Sequence, residues 1–178
     1  MKNRLKFAAF LFTLVVTTTS CTKEWFGVEG VGPVHSETRQ LTNFNGVDLQ
    51  LSGRVNIIRD SVFSVTVTTY DNYQSLVQVY VSGGKLTIDS KKTLRDDNIV
   101  VDVHLPYLEY LSIGGSGDIY TVSSFPSSYV KANVSGSGKI DFAGNVTNME
   151  AVISGSGAIY LNGTAVNTKY TISGSGDI

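Results

Sequence analysis

The chain has 178 residues, 42% of them hydrophobic and only 16% charged, with 18 glycines against 3 prolines. That length fits one domain or two small ones, and so few charges exclude a charge-rich disordered chain and disfavour a helical bundle. With 14 Lys+Arg against 15 Asp+Glu, no basic field exists to attract nucleic acid, and none is expected as a partner.

Residues 1–20 begin with the bases Lys2, Arg4 and Lys6, continue in an apolar run from Phe7 to Val16 broken only by Thr13, and end in Thr17, Thr18, Thr19, Ser20. This is the three-part layout of a secretory signal peptide. Ten apolar residues rise about 15 Å as a helix, half of a bilayer's hydrocarbon core, so the run is too short for a permanent span. Cys21 follows at once and is the single cysteine of the chain, so no internal disulfide can form.

The position of Cys21 resembles the lipidation cysteine of bacterial lipoproteins, with Ser20 and Thr19 as the small residues before it and Thr18 where Leu is commoner. A thioether-linked diacylglyceryl group plus a palmitate-type N-acyl chain would hold the protein on its membrane, since each buried methylene contributes about 0.8 kcal/mol. Loss of residues 1–20 leaves 11 bases against 15 acids, a net charge of −4. Residues 21–37, with three glycines and no periodicity, read as a tether in which Trp25 and Phe26 either rest at the membrane interface or pack onto the domain. Lys23 and Glu24 resemble the charged export tag of surface lipoproteins in Bacteroides-like bacteria. The remainder, 38–178, is expected to be one domain.

From Phe44 onward the chain alternates. Val47, Leu49 and Leu51, then Val55 and Ile57, then Val62 to Thr68 read as half-buried strands. Asp71 to Leu76 has room for one helical turn. Val77, Val79, Val81 and Leu86, Ile88 flank Ser82-Gly83-Gly84-Lys85, a hairpin signal. Lys91 to Asn98 is charged and loop-like, and Ile99 to Leu105 alternates again before Pro106.

The strongest internal signal follows. The tripeptide Gly-Ser-Gly begins at Gly115, Gly136, Gly155 and Gly174, at intervals of 21, 19 and 19 residues. Ile113, Val134, Ile153 and Ile172 precede the corners, and Ile119, Ile140, Ile159 and Ile178 follow them, in equivalent positions. Repeats near twenty residues imply stacked units of strand, corner and strand. The predicted fold is all-β, a right-handed parallel β-helix-like solenoid with 19–21 residues per coil, its isoleucine columns inside. Because Gly174 to Ile178 opens a fourth corner without a following coil or polar cap, the natural chain is expected to continue past Ile178.

The lipobox-like start, Phe44-Asn45-Gly46-Val47-Asp48, the hairpin segment Gly83 to Ile88 and the recurrent Ser-Gly-Ser-Gly corners together resemble the putative auto-transporter adhesin, head GIN domain family of bacterial envelope proteins. The resemblance covers about Thr38 to Ile178. It implies a β-helix-like body, secreted or lipid-anchored, and supplies no binding residue.

Chemistry is sparse. The column Asp118, Lys139, Ala158, Asp177 cannot ligate calcium throughout, because lysine and alanine offer no oxygen, and Asp118 is expected to pair with Lys139 across the repeat. His35 and His104 lack partner motifs, and Asp96-Asp97 read as a solvated turn rather than an acid–base pair. No catalytic residue, metal ligand or cofactor is therefore expected. Tyr120 and Tyr160, with Asp141 between them, form a candidate outward strip of the kind on which sugars and proteins dock. Asp60-Ser61-Val62 looks like an O-glycosylation acceptor of Bacteroides-like bacteria. The expectation is a non-enzymatic protein of the cell envelope, lipid-anchored to the outer membrane, with the membrane as one partner and a glycan or protein ligand as another. A glycan-active enzyme and a purely structural module are the alternatives.

Overall fold

The computed structural model describes residues 27–178; the expected signal peptide, Cys21 and the Trp25-Phe26 pair lie outside them. Twelve strands and one helical turn follow in order: β1 (Val34–Arg39), β2 (Gly46–Leu49), β3 (Arg54–Arg59), β4 (Ser64–Tyr70), α1 (Asp71–Gln74), β5 (Val77–Ser82), β6 (Lys85–Ser90), β7 (Val100–Leu105), β8 (Tyr110–Ile113), β9 (Asp118–Thr121), β10 (Phe125–Val134), β11 (Lys139–Ile153) and β12 (Ala158–Ile172). The boundary expected at residue 38 falls within β1, and Val28 forms a bridge with Leu94, so these residues are hydrogen-bonded to the domain.

All strands join one sheet, in the order β1-β4-β7-β3-β9-β11-β10-β8-β2-β6-β5, with β12 on the far edge of β11. The predicted right-handed parallel solenoid is corrected by this topology. The sheet is mixed, because β1–β4, β4–β7 and β5–β6 are antiparallel, and its eleven-strand path makes a nearly closed barrel. The physical reason lies in residues 34–105, which carry no regular repeat. There the Gly83-Gly84 turn, with both φ angles positive at 57° and 75°, folds β5 straight back on β6. Alternating Val65 and Val67 of β4 are buried beside β7, with which β4 runs antiparallel. The repeats supply only adjacent strands of this barrel: β11 and β12 pair in parallel from Lys139↔Ala158 to Ile153↔Ile172.

The barrel interior is one apolar cluster that includes Leu49, Ile57, Ile88, Leu111, Phe125, Ile140 and Ile153. Inward residues alternate with outward ones along most strands, as in β4, where Val65, Val67 and Thr69 are buried between half-buried neighbours. The columns Ile113, Val134, Ile153 and Ile119, Ile140, Ile159 are inside, whereas Ile172 and Ile178 are 47% and 37% exposed. Corner glycines are needed for spacing: a Cβ on Gly136 or Gly155 would overlap the carbonyl oxygen of the glycine one corner earlier.

Candidate polar groove and outer strip

Two adjoining clefts, of about 750 and 480 Å³, lie between the loop Lys91–Asn98 and the corners, and share Ser52, Leu94 and Ser116. Their floor is the pair of stacked corners Leu51-Ser52-Gly53 and Gly115-Ser116-Gly117. The N–H groups of Gly114 and Asp118 donate to the carbonyls of Leu49 (2.9 Å) and Gly53 (2.8 Å). The first of these corners is an early copy of the repeat: Arg54 pairs with Asp118 and Val55 with Ile119. Sequence reading missed it because 64 residues separate Leu51 from Gly115 and a leucine replaces the first glycine. The remaining signal was the apolar spacing Leu49 and Val55 around Ser52-Gly53.

The opposite wall is pinned from behind. Val28 N–H donates to the Thr93 carbonyl, and Arg95 N–H donates to the Val28 carbonyl, each at 2.9 Å. Asp96 accepts from Gly30 N–H at 2.7 Å and from the hydroxyl of buried Tyr73 at 2.9 Å. These bonds, the Gly30 amide first, hold the Asp96 carboxyl below the usual range. Asp96 is thus a structural anion rather than half of a solvated turn, and a carboxylate kept ionised is unsuited to act as a general acid.

Beyond the groove the outer face carries two polar rows, set by strand register. Asp102, Asn56, Tyr120, Asp141 and Tyr160 stand side by side on β7, β3, β9, β11 and β12, and Val100, Arg54, Asp118, Lys139 and Ala158 form the next row. At about 4.8 Å per strand each row is about 19 Å long. Arg54 and Lys139 lie over the Tyr120 ring, at 5.2 and 4.6 Å from its centre. The Tyr120 hydroxyl donates to Asp118 at 3.1 Å. Contact with this phenol, more than any other group, raises the Lys139 pKa. Among the described ion pairs Lys139 has no carboxylate partner, so the expected Asp118–Lys139 pair is replaced by cation–π contact. Asn56 donates to Asp102 at 2.8 Å, and Asn162 to Asp141 at 3.1 Å. Tyr160 is 52% exposed. Structure therefore brings Tyr120, Asp141 and Tyr160 together but leaves only Tyr160 with an open ring face.

The histidines stand elsewhere. His104 Nδ1 lies 3.1 Å from Asp60, whose carboxyl it holds below the ordinary value, and His35 Nε2 lies 3.4 Å from Glu37. Ser61 sits in an exposed turn in which Asp60 accepts Val62 N–H at 3.3 Å. Among the described residues no group of three or more His, Cys, Asp or Glu side chains could hold a metal ion.

The fold recurs in solved structures. A protein described as a putative lipid binding protein from Parabacteroides distasonis superposes with a TM-score of 0.73 at 21% identity, over 82% of this chain and 65% of that one. Putative adhesins from Parabacteroides distasonis (TM-score 0.58, 22% identity, 84% of this chain and 74% of that one) and Bacteroides fragilis (0.55, 15%, 85% and 98%) are similar too. This chain spans under two thirds of the length of the first of these proteins. Comparison with curated proteins gives no match. The family described as putative auto-transporter adhesin, head GIN domain, matches residues 43–178, and the chain belongs to that family.

Proposed function

We propose that this is a non-enzymatic adhesion module of the bacterial envelope, held at the outer membrane through lipid on Cys21, which binds a glycan in the polar groove and along the Tyr120–Tyr160 strip. Family membership and neighbours named as adhesins support the class. The observation that carries the site is continuity: Arg54 and Asp118 line the larger cleft and also flank Tyr120 on the outer face. The surface offers amides, carboxylates, serine hydroxyls and one open phenol in a fixed row, which suits the hydroxyls and apolar ring faces of an extended sugar chain. An acyl chain finds little there, because the cleft lining is predominantly polar.

A glycan array probed with the mature protein tests the reading. Binding should appear and should fall several-fold in Tyr160→Ser and Arg54→Ala variants with unchanged melting temperatures. Capture of proteins with no glycan bound would overturn it. Cys21→Ala should release the protein from membranes, and an unmodified Cys21 thiol at the mature terminus would refute the anchor.

A further inference from the structure

Stacked corners of the repeat are joined by three backbone rungs, and at the groove the central rung is missing. In the regular corners every second amide donates to the corner before it. Ser135, Ser137 and Lys139 donate to the carbonyls of Ile113, Gly115 and Gly117, and Ser154, Ser156 and Ala158 to those of Val134, Gly136 and Gly138. The corner Leu51-Ser52-Gly53 keeps the outer two, Gln50 to Ile88 at 2.9 Å and Arg54 to Ile99 at 2.8 Å. Its central amide, Ser52, has no acceptor among the described residues, because the chain between Ile88 and Ile99 makes no corner and runs out as the loop Lys91–Asn98. Alternate amides face one way, so the Ser52 N–H is directed to the side where that corner would stand and where the clefts open. Ser116, stacked on Ser52, lacks the central rung as well.

The charges beside these amides are of one sign. The 480 Å³ cleft is lined by Lys91 and Lys92 together with Gln50, Ser52, Ser90 and Ser116, and by no carboxylate. Neither lysine has an acidic partner among the described ion pairs. Lys91 Nζ donates to the Ser75 carbonyl at 3.0 Å, whereas Lys92 is exposed and its Nζ has no hydrogen-bond acceptor among the described residues. This positive character is local, since residues 27–178 carry 10 bases against 14 acids. Backbone amides and ammonium groups only donate. An oxyanion, which only accepts, matches them better than a sugar hydroxyl, which does both.

We propose that the smaller cleft is the subsite for an anionic substituent of the glycan, a carboxylate or a sulfate. Lys92 and the Ser52 N–H donate to its oxygens, and Lys91 adds charge beside it. The inference rests on the glycan reading of the groove and adds the substrate class, an acidic polysaccharide whose uncharged portion runs on through the larger cleft to the Tyr120–Tyr160 strip.

An array carrying neutral, uronic-acid and sulfated oligosaccharides of matched backbones, probed with the mature protein, tests this. An acidic chain should bind about tenfold more tightly than its neutral counterpart, the gain expected of charge-assisted hydrogen bonds, and the two acidic sets tell carboxylate from sulfate. Lys92→Met, at an exposed position, should leave the melting temperature unchanged and abolish that preference. Tyr160→Ser should weaken neutral and acidic chains alike and keep it. The Ser52 amide proton resonance should shift further with the acidic chain than with the neutral one, a readout that needs no variant. Equal binding of neutral and acidic chains would overturn the subsite and leave the glycan reading standing. An acidic preference that survives Lys92→Met would overturn it too, by placing the charge elsewhere. Binding of no chain would overturn both.

Discussion

Residues 34–105 and residues 110–172 contribute to one barrel by opposite means. The first region has irregular spacing, three antiparallel pairs and a helical turn that binds its neighbours: Gln74 Nε2 donates to the carbonyls of His35 (2.9 Å) and Val67 (3.1 Å). The second has strands that repeat one pattern and lie parallel in register. The inward columns of β2, β3, β4, β6 and β7 are buried in the first region, whereas in the second burial depends on the neighbouring strand and is lost along β12 after Ile159. Burial here is a property of the neighbour rather than of the residue, since Ile153 and Ile172 occupy the same repeat position and differ from 0% to 47% exposure.

That contrast predicts the largest effect. Ile153→Asp places a carboxylate among Val134 and the apolar interior with no partner, and should cost about 3–5 kcal/mol, enough to unfold a marginal domain. Ile172→Asp at the open edge should cost under about 1 kcal/mol. Thermal melts of the two variants measure the difference, and equal losses would refute the assignment of Ile153 as sealed and Ile172 as open.

Much of this architecture was legible in residue order. Alternation located β2 to β7, Gly83-Gly84 located the hairpin, and the corner spacing gave the parallel register of β10 to β12. The path of the sheet was not legible, because alternation says which face is buried but not which strand lies alongside. β1 was hidden for a related reason: Val34 to Arg39 alternates half-buried with exposed residues and faces the core with none, so its strand character comes from pairing with β4. The outer strip was half legible. Tyr120, Asp141 and Tyr160 share a repeat column, whereas Arg54, Asn56 and Asp102 reach it from strands remote in sequence.

The loop wall of the groove belongs to the irregular region and should respond to a single hydroxyl. The single hydroxyl proton of Tyr73 is shared between the Val28 carbonyl at 2.6 Å and Asp96 at 2.9 Å. Tyr73→Phe keeps the ring and removes both bonds, at a cost of about 1–2 kcal/mol. Faster hydrogen exchange at the amides of Gly30 and Arg95 would locate the loss in the wall. The same wall is pH-sensitive. Asp96 has a folded-state pKa below its unfolded value, so it stabilises the fold above the ordinary carboxyl range, near about pH 3.9, and that contribution is lost as pH falls through the lower folded value. Glu37, Asp60 and Glu150 are shifted the same way. An Asp96→Asn variant should therefore melt below the native protein at pH 7 and approach it at pH 3; a constant gap would refute the linkage.

The smallest effect separates two accounts of the strip where the regions meet. If Lys139 were held by Asp118, their coupling would be coulombic between charges of opposite sign and would fade with salt. The geometry instead sets Lys139 4.6 Å above the Tyr120 ring, with Arg54 also over the ring, while Asp118 accepts the Tyr120 hydroxyl. A double-mutant cycle between Lys139→Met and Tyr120→Leu should return about 0.5–1 kcal/mol of coupling that survives added salt better than a surface ion pair. The cycle between Lys139→Met and Asp118→Asn should return less. Methionine keeps much of the lysine stem's apolar contact, so the first cycle reports the cation rather than the packing. Larger coupling to Asp118 than to Tyr120 would restore the ion pair and dissolve the distinction between a strip held by its own aromatic and one held by paired charges.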